Sequence, residues 1–114
     1  MDHTRINTER QFKSTTGYSK EEFEELYKAF EEMYITEKGE TYEDYIMDMD
    51  EPPSLKTLSS ILFFVLFQLK NNLVYDTYGA IFGMDGSAAH SNFKKYSLLL
   101  RKTLKKKRLS EKGV

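Results

Sequence analysis

Leu55-Lys56-Thr57-Leu58-Ser59-Ser60-Ile61-Leu62-Phe63-Phe64-Val65-Leu66-Phe67-Gln68-Leu69 is the most apolar stretch of a 114-residue chain. Leu58, Ile61, Leu62, Val65, Leu66 and Leu69 recur at helical spacing and form one stripe. Phe63, Phe64 and Phe67 fill the remaining sides, so this helix is apolar nearly all round and belongs at the centre of a core. Fifteen residues without a turn signal favour helix over strand. Ser54 is placed to cap its start, just after Pro52-Pro53, and Lys70-Asn71-Asn72 marks its exit.

Downstream, a short helix fits Val74 or Tyr75 to Phe82 and ends at Gly83. Met84-Asp85-Gly86 then turns, with Asp85 as N-cap of a longer helix from about Gly86 to Lys105. That helix carries Ala89, Phe93, Tyr96, Leu100, Thr103 and Leu104 on its apolar side. Upstream, Ser19 and Glu22 make a capping box, flanked by Tyr18 and Phe23 as a hydrophobic staple. Phe23, Leu26, Tyr27, Phe30, Met33 and Tyr34 continue as one amphipathic face to about Ile35. Gly39 closes it, and Tyr42, Tyr45, Ile46 and Met49 mark a short helix inside an acidic segment. These readings predict an all-α domain of four to five helices containing a helix-turn-helix. Residues 1–17, His3 included, are expected as a flexible N-terminal arm, 18–53 as an acidic lead-in helix and linker, 54–105 as the helix-turn-helix domain and 106–114 as a basic tail.

Composition narrows the classes of function. With 39% hydrophobic and 14% aromatic residues the chain can build one modest core, and its length allows one domain. The absence of cysteine excludes a disulfide scaffold, a thiol nucleophile and a cysteine-based zinc site, and points to a reducing compartment. Met1-Asp2-His3-Thr4-Arg5 does not open a signal peptide, and the longest mainly apolar run, Ile61 to Leu69, is about half a membrane span. A cytoplasmic protein without a membrane partner is expected. The net charge of −1 averages two opposed halves: residues 1–53 hold 15 acids and 6 bases, and residues 54–114 hold 11 bases and 3 acids. A basic second half suggests nucleic acid, and the acidic half is placed to compete for it, within the chain or across a dimer.

The junction of the last two helices carries the functional signal. Gly83 supplies a left-handed helix end, Gly79 and Ala80 allow a close crossing, and Ile81, Phe82, Ala89 and Phe93 lock the pair. One face of the second helix is then available to a DNA major groove. Ser87, Ala88, His90 and Ser91 are the candidates for base edges, and Lys94, Lys95, Arg101 and Lys102 for phosphates. The aromatic set Phe63, Phe64, Phe67 and Phe82 reads as core, not as a base-stacking platform. Gly79 to Gly83 also spells GxxxG, but outside an apolar segment long enough for a membrane. Asp44, Asp48, Asp50 and Glu51 lack the glycine and closing glutamate of a calcium loop and read as a solvated linker. No phosphate loop, nucleophile–base pair or metal-ligand set is found, so no enzyme, cofactor, metal or small-molecule substrate is expected.

Residues 54–104 resemble the N-terminal helix-turn-helix domain of DDE-superfamily transposases from bacterial insertion sequences. The resemblance rests on the aliphatic helix Leu58–Leu69, the Leu69-Lys70-Asn71-Asn72 exit, the Tyr78-Gly79-Ala80-Ile81-Phe82-Gly83-Met84 helix end and the Ser87-Ala88-Ala89 opening. The run from Tyr18 to Leu26 is similar to the lead-in helix of such domains, so the likeness covers about four fifths of the chain. It implies binding of duplex DNA at the ends of a mobile element and a nucleoid-associated location. His90 and Ser91 stand where the family usually has Ser then Arg, which removes the best bidentate guanine reader. The ribonuclease-H-like catalytic domain of these transposases has no counterpart here, so strand cleavage and transfer are not expected of this chain. A homodimer or a catalytic partner chain would complete the assembly. The alternative is a protein-interaction module, or a small standalone repressor, in which the helix-turn-helix is structural or needs a dimer.

Overall fold

The computed structural model describes residues 3–5 and 8–111, and every regular element among them is helical. After a single 3-10 turn, His3–Arg5, come α1 (Glu9–Thr16), α2 (Lys20–Lys38), α3 (Tyr42–Met47), α4 (Leu58–Asn71), α5 (Tyr75–Phe82) and α6 (Gly86–Glu111). The fold is therefore all-α, with one helix more than the sequence suggests.

Helix α4 is the central post. Leu58 and every residue from Ile61 to Gln68 are buried on it, so neighbours cover the whole circumference. Helices α1, α2 and α6 all pack against it. Phe64 stacks on Tyr78 of α5 with ring centroids 4.3 Å apart and meets Phe82 edge-on at 4.9 Å. The Tyr78 hydroxyl donates to the Phe64 carbonyl at 2.6 Å, and burial raises its pKa far above the ordinary phenol range. The phenylalanines of α4 are core, as their spacing predicts.

The caps explain where the helices begin and end. Ser19 accepts from the Glu22 amide and the Glu22 carboxylate accepts from the Ser19 amide, completing the capping box. The Ser19 amide, and next its hydroxyl, hold the Glu22 carboxyl below the usual carboxylate range. Gly39 ends α2 in the left-handed region at φ 81°. Helix α4 starts three residues later than the sequence suggests, because Thr57 and not Ser54 is its N-cap, accepting from the Ser60 amide at 3.1 Å. Ser54 instead donates to the Gly83 carbonyl at 3.1 Å, tying the linker to the turn between α5 and α6. Leu69, expected on the buried stripe, is exposed near the end of α4.

Three further expectations are corrected. Residues 9–16 of the expected flexible arm form α1, capped by Thr8 and by Gly17 at φ 82°. Its Phe12 is buried and sits edge-on to Phe23 of α2 at 5.2 Å. The Glu9 carboxylate accepts from the Lys20 amide at 2.7 Å, and the Asn71 amide group donates to the Thr15 carbonyl at 3.2 Å. His3, expected in the arm, stacks on Phe63 at 5.5 Å. The remainder of the arm, residues 1, 2, 6 and 7, lies outside the described residues. The expected basic tail is, over residues 106–111, a direct continuation of α6; residues 112–114 lie outside the described residues. Of the two adjacent positions expected on the apolar side of α6, Thr103 is buried, its hydroxyl donating to the Leu99 carbonyl at 2.8 Å, and Leu104 is exposed.

Candidate nucleic-acid interface

Helices α5 and α6 meet as a helix-turn-helix pair. Gly83 ends α5 in the left-handed region at φ 77°, and the Met84 amide reaches back to the Gly79 carbonyl at 2.9 Å. Asp85 caps α6 by accepting from the Ala88 amide at 2.8 Å. A Cβ on Gly79 would lie 2.5 Å from the Met84 carbonyl oxygen and 2.8 Å from that of Asp85, so only glycine fits under this turn. Ala80, expected to share that role, is exposed.

Ala89, Tyr96, Leu99, Leu100 and Thr103 bury one side of α6, with Phe93 packed against the core. The opposite side is Ser87, Ser91, Lys94, Leu98, Arg101 and Lys105, all exposed and spaced four, three, four, three and four residues apart. At ~1.5 Å per residue the stripe runs about 27 Å. No acidic residue occurs from Gly86 to Ser110, so every charged side chain on the stripe is a cation.

The structure divides the eight predicted contacts. Ser87, Ser91, Lys94 and Arg101 fall together on the exposed stripe. His90 leans to one flank, its ring 4.6 Å from that of Tyr75 on α5. Lys102 turns to the other flank, where its ammonium meets the Glu37 carboxylate of α2 at 2.8 Å. Lys95 lies on that side too, its ammonium 5.1 Å from the centroid of the Tyr96 ring. Ala88 is half-buried and lines a groove of about 410 Å³ between α6 and the acidic segment, together with Tyr42, Tyr45, Met49, Glu51, Asn92 and Lys95. Leu98 was not among the predicted contacts; Lys105 opens the basic run Lys105–Arg108, for which the sequence leaves both phosphate contact and a solvated terminus open.

The surroundings set the electrostatics. The Tyr42 hydroxyl at the foot of the groove donates to the Leu55 carbonyl at 2.6 Å, and burial pushes its pKa up to about 12. Burial likewise raises Tyr96 well above the ordinary range. Glu43 reaches from α3 to the start of α4, where one carboxylate oxygen accepts from the Leu58 amide at 3.4 Å. Among the described residues no group of three or more His, Asp or Glu side chains is arranged to hold a metal ion. No helix among them is long and apolar enough to cross a membrane.

Compared with known proteins, the chain matches no family profile, no curated protein and no solved structure.

Proposed function

We propose that this protein binds duplex DNA, laying the start of α6 in the major groove and the rest of its exposed stripe along the phosphates. The observation that carries this reading is the acid-free, outward stripe from Ser87 to Lys105 on the second helix of a helix-turn-helix. Ser87 and Ser91 are short and exposed near the helix start, where a recognition helix meets base edges. Lys94, Arg101 and Lys105 supply charge to the backbone, which positions the protein without reading sequence. Ala88 faces the groove and is assigned no base; His90, exposed on the flank beside Tyr75, stays a candidate for a base edge or a phosphate. Lys95 and Lys102 flank the stripe and add to its field.

The resemblance of residues 54–104 to the transposase domain supplies the class of target, the ends of a mobile element. A nucleoid-associated location follows from duplex binding. The reading gives these residues a binding role and no catalytic one. Without a bidentate arginine near the helix start, discrimination between sequences is expected to be modest.

Fluorescence anisotropy of a labelled random duplex over a salt series tests the reading. Affinity should fall linearly on a log–log plot, and Lys94→Ala/Arg101→Ala should reduce the slope by about 2. Absence of binding at low salt, or a slope indifferent to both substitutions, would sink it.

A further inference from the structure

Six of the nine exposed large apolar side chains among the described residues fall into two groups of opposite charge. Tyr45, Met47 and Met49, exposed by 48%, 72% and 40%, sit among exposed Asp44, Asp48, Asp50 and Glu51. On the second half of α6, Leu98 and Leu109, each exposed by 50%, share a side with exposed Lys105, and Leu104, exposed by 40%, lies around the helix beside exposed Arg101 and Arg108. Phosphate binding explains the cations of the second group but gives its leucines nothing apolar to touch. It leaves the acidic group without a role altogether.

We propose that the acidic strip of residues 44–51 on one copy of this chain docks on the basic, leucine-bearing end of α6 on a second copy. Charge decides the pairing. Two α6 ends together would set cations against cations, and two acidic strips would set carboxylates against carboxylates. Only the crossed pairing neutralises both surfaces while covering methionine and tyrosine with leucine. The strip lies beside the first half of α6 in its own chain, where Tyr45 and Met49 share a groove with Ala88 and Lys95, and Met47 remains outward. The paired charges are exposed to solvent, so the contact is salt-sensitive. It stands on these surfaces and not on DNA binding, and its test contains no DNA.

Sedimentation velocity of the full chain at about 0.05 M and about 0.5 M salt reads the interaction, because screening shortens from beyond 10 Å to a few ångströms over that range. The expected result is a concentration-dependent shift to larger species at low salt that disappears at high salt. Asp48→Lys/Asp50→Lys and Lys105→Glu/Arg108→Glu should each weaken self-association by about tenfold or more. Mixing the two variants should restore it, since each then meets the charge it lost. A chain that stays monomeric at low salt overturns the proposal. So does association that survives high salt, or a mixture no stronger than its separate components when circular dichroism shows both variants folded.

Discussion

Helices α4 and α6 show the two uses a helix can make of its polar residues. On α4 nearly all of them are consumed by the fold. The Gln68 side chain donates to the Leu73 carbonyl at 2.7 Å and accepts from the Leu73 amide at 3.0 Å. Asn71 donates to the carbonyls of Phe67 and Thr15, and Asn72 adopts φ 49° to end the helix. On α6, Ser87, Ser91, Lys94 and Arg101 stand exposed instead. The Lys70-Asn71-Asn72 exit is thus architecture, whereas the opening and stripe of α6 are exposed to solvent.

The strongest way to break this contrast is in the core. Phe64 is fully buried between Tyr78 and Phe82, so Phe64→Ala should cost about 3–5 kcal/mol in urea unfolding. Lys94→Ala, on the α6 stripe, should leave stability within about 0.5 kcal/mol. Equal losses would erase the distinction between the two helices.

Gln68→Ala asks whether the polar residues of α4 are structural. It strips both groups of Leu73 of their partner, and a loss of about 1–3 kcal/mol is expected. Duplex affinity measured on the folded fraction should not change. A loss of DNA binding without a loss of stability would move Gln68 to the functional side.

Alkaline titration probes the foot of the groove where the two regions meet. Up to about pH 10 the Tyr42 hydroxyl is protonated in both folded and unfolded chains and adds no pH dependence. Between about 10 and its folded pKa of about 12 the unfolded chain releases that proton while the folded chain keeps it. Stability therefore falls as pH rises through this window, by up to about 1.4 kcal/mol per pH unit for each such tyrosine. Tyr42→Phe should flatten the urea midpoint against pH by its share, and an unchanged profile would place the loss on other tyrosines.

The smallest effect concerns the flank of α6. Lys102 and Glu37 are 49% and 32% exposed, so Lys102→Ala should change stability by less than about 1 kcal/mol. Its effect on the anisotropy salt slope should also be smaller than that of Lys94→Ala, because its charge is already partnered. An equal effect would restore Lys102 to the set of phosphate contacts.

Some elements were legible because their causes are local. The Ser19–Glu22 box, the Gly39 and Gly83 ends and the Asp85 cap each involve groups within about one turn of each other, and all four stand in the fold. Helix α1 was harder. Thr8-Glu9-Arg10-Gln11 has the form of a capping box, but Phe12 is the lone large apolar residue of the helix, so no periodicity followed it. What makes it a helix of this fold is distant: Phe23, the Asn71 side chain and the Lys20 amide. The start of α4 is likewise set by a distant partner. Ser54 and Thr57 are both capping residues, and the choice went to Thr57 once Ser54 was drawn to Gly83, 29 residues on.

By itself the sequence determined the helical class, the central place of α4, the helix-turn-helix junction and the sign of charge along α6. Those follow from spacings of three and four residues and from glycine at left-handed ends, which any chain with these residues would share. Tertiary structure alone decided which polar residues of α6 remain available. Lys102 was claimed by Glu37, 65 residues away in sequence, and the exposed His90 was set beside the Tyr75 ring, 4.6 Å from it. Helical periodicity says which way a side chain departs from its axis, but only the packed neighbours say what it meets there.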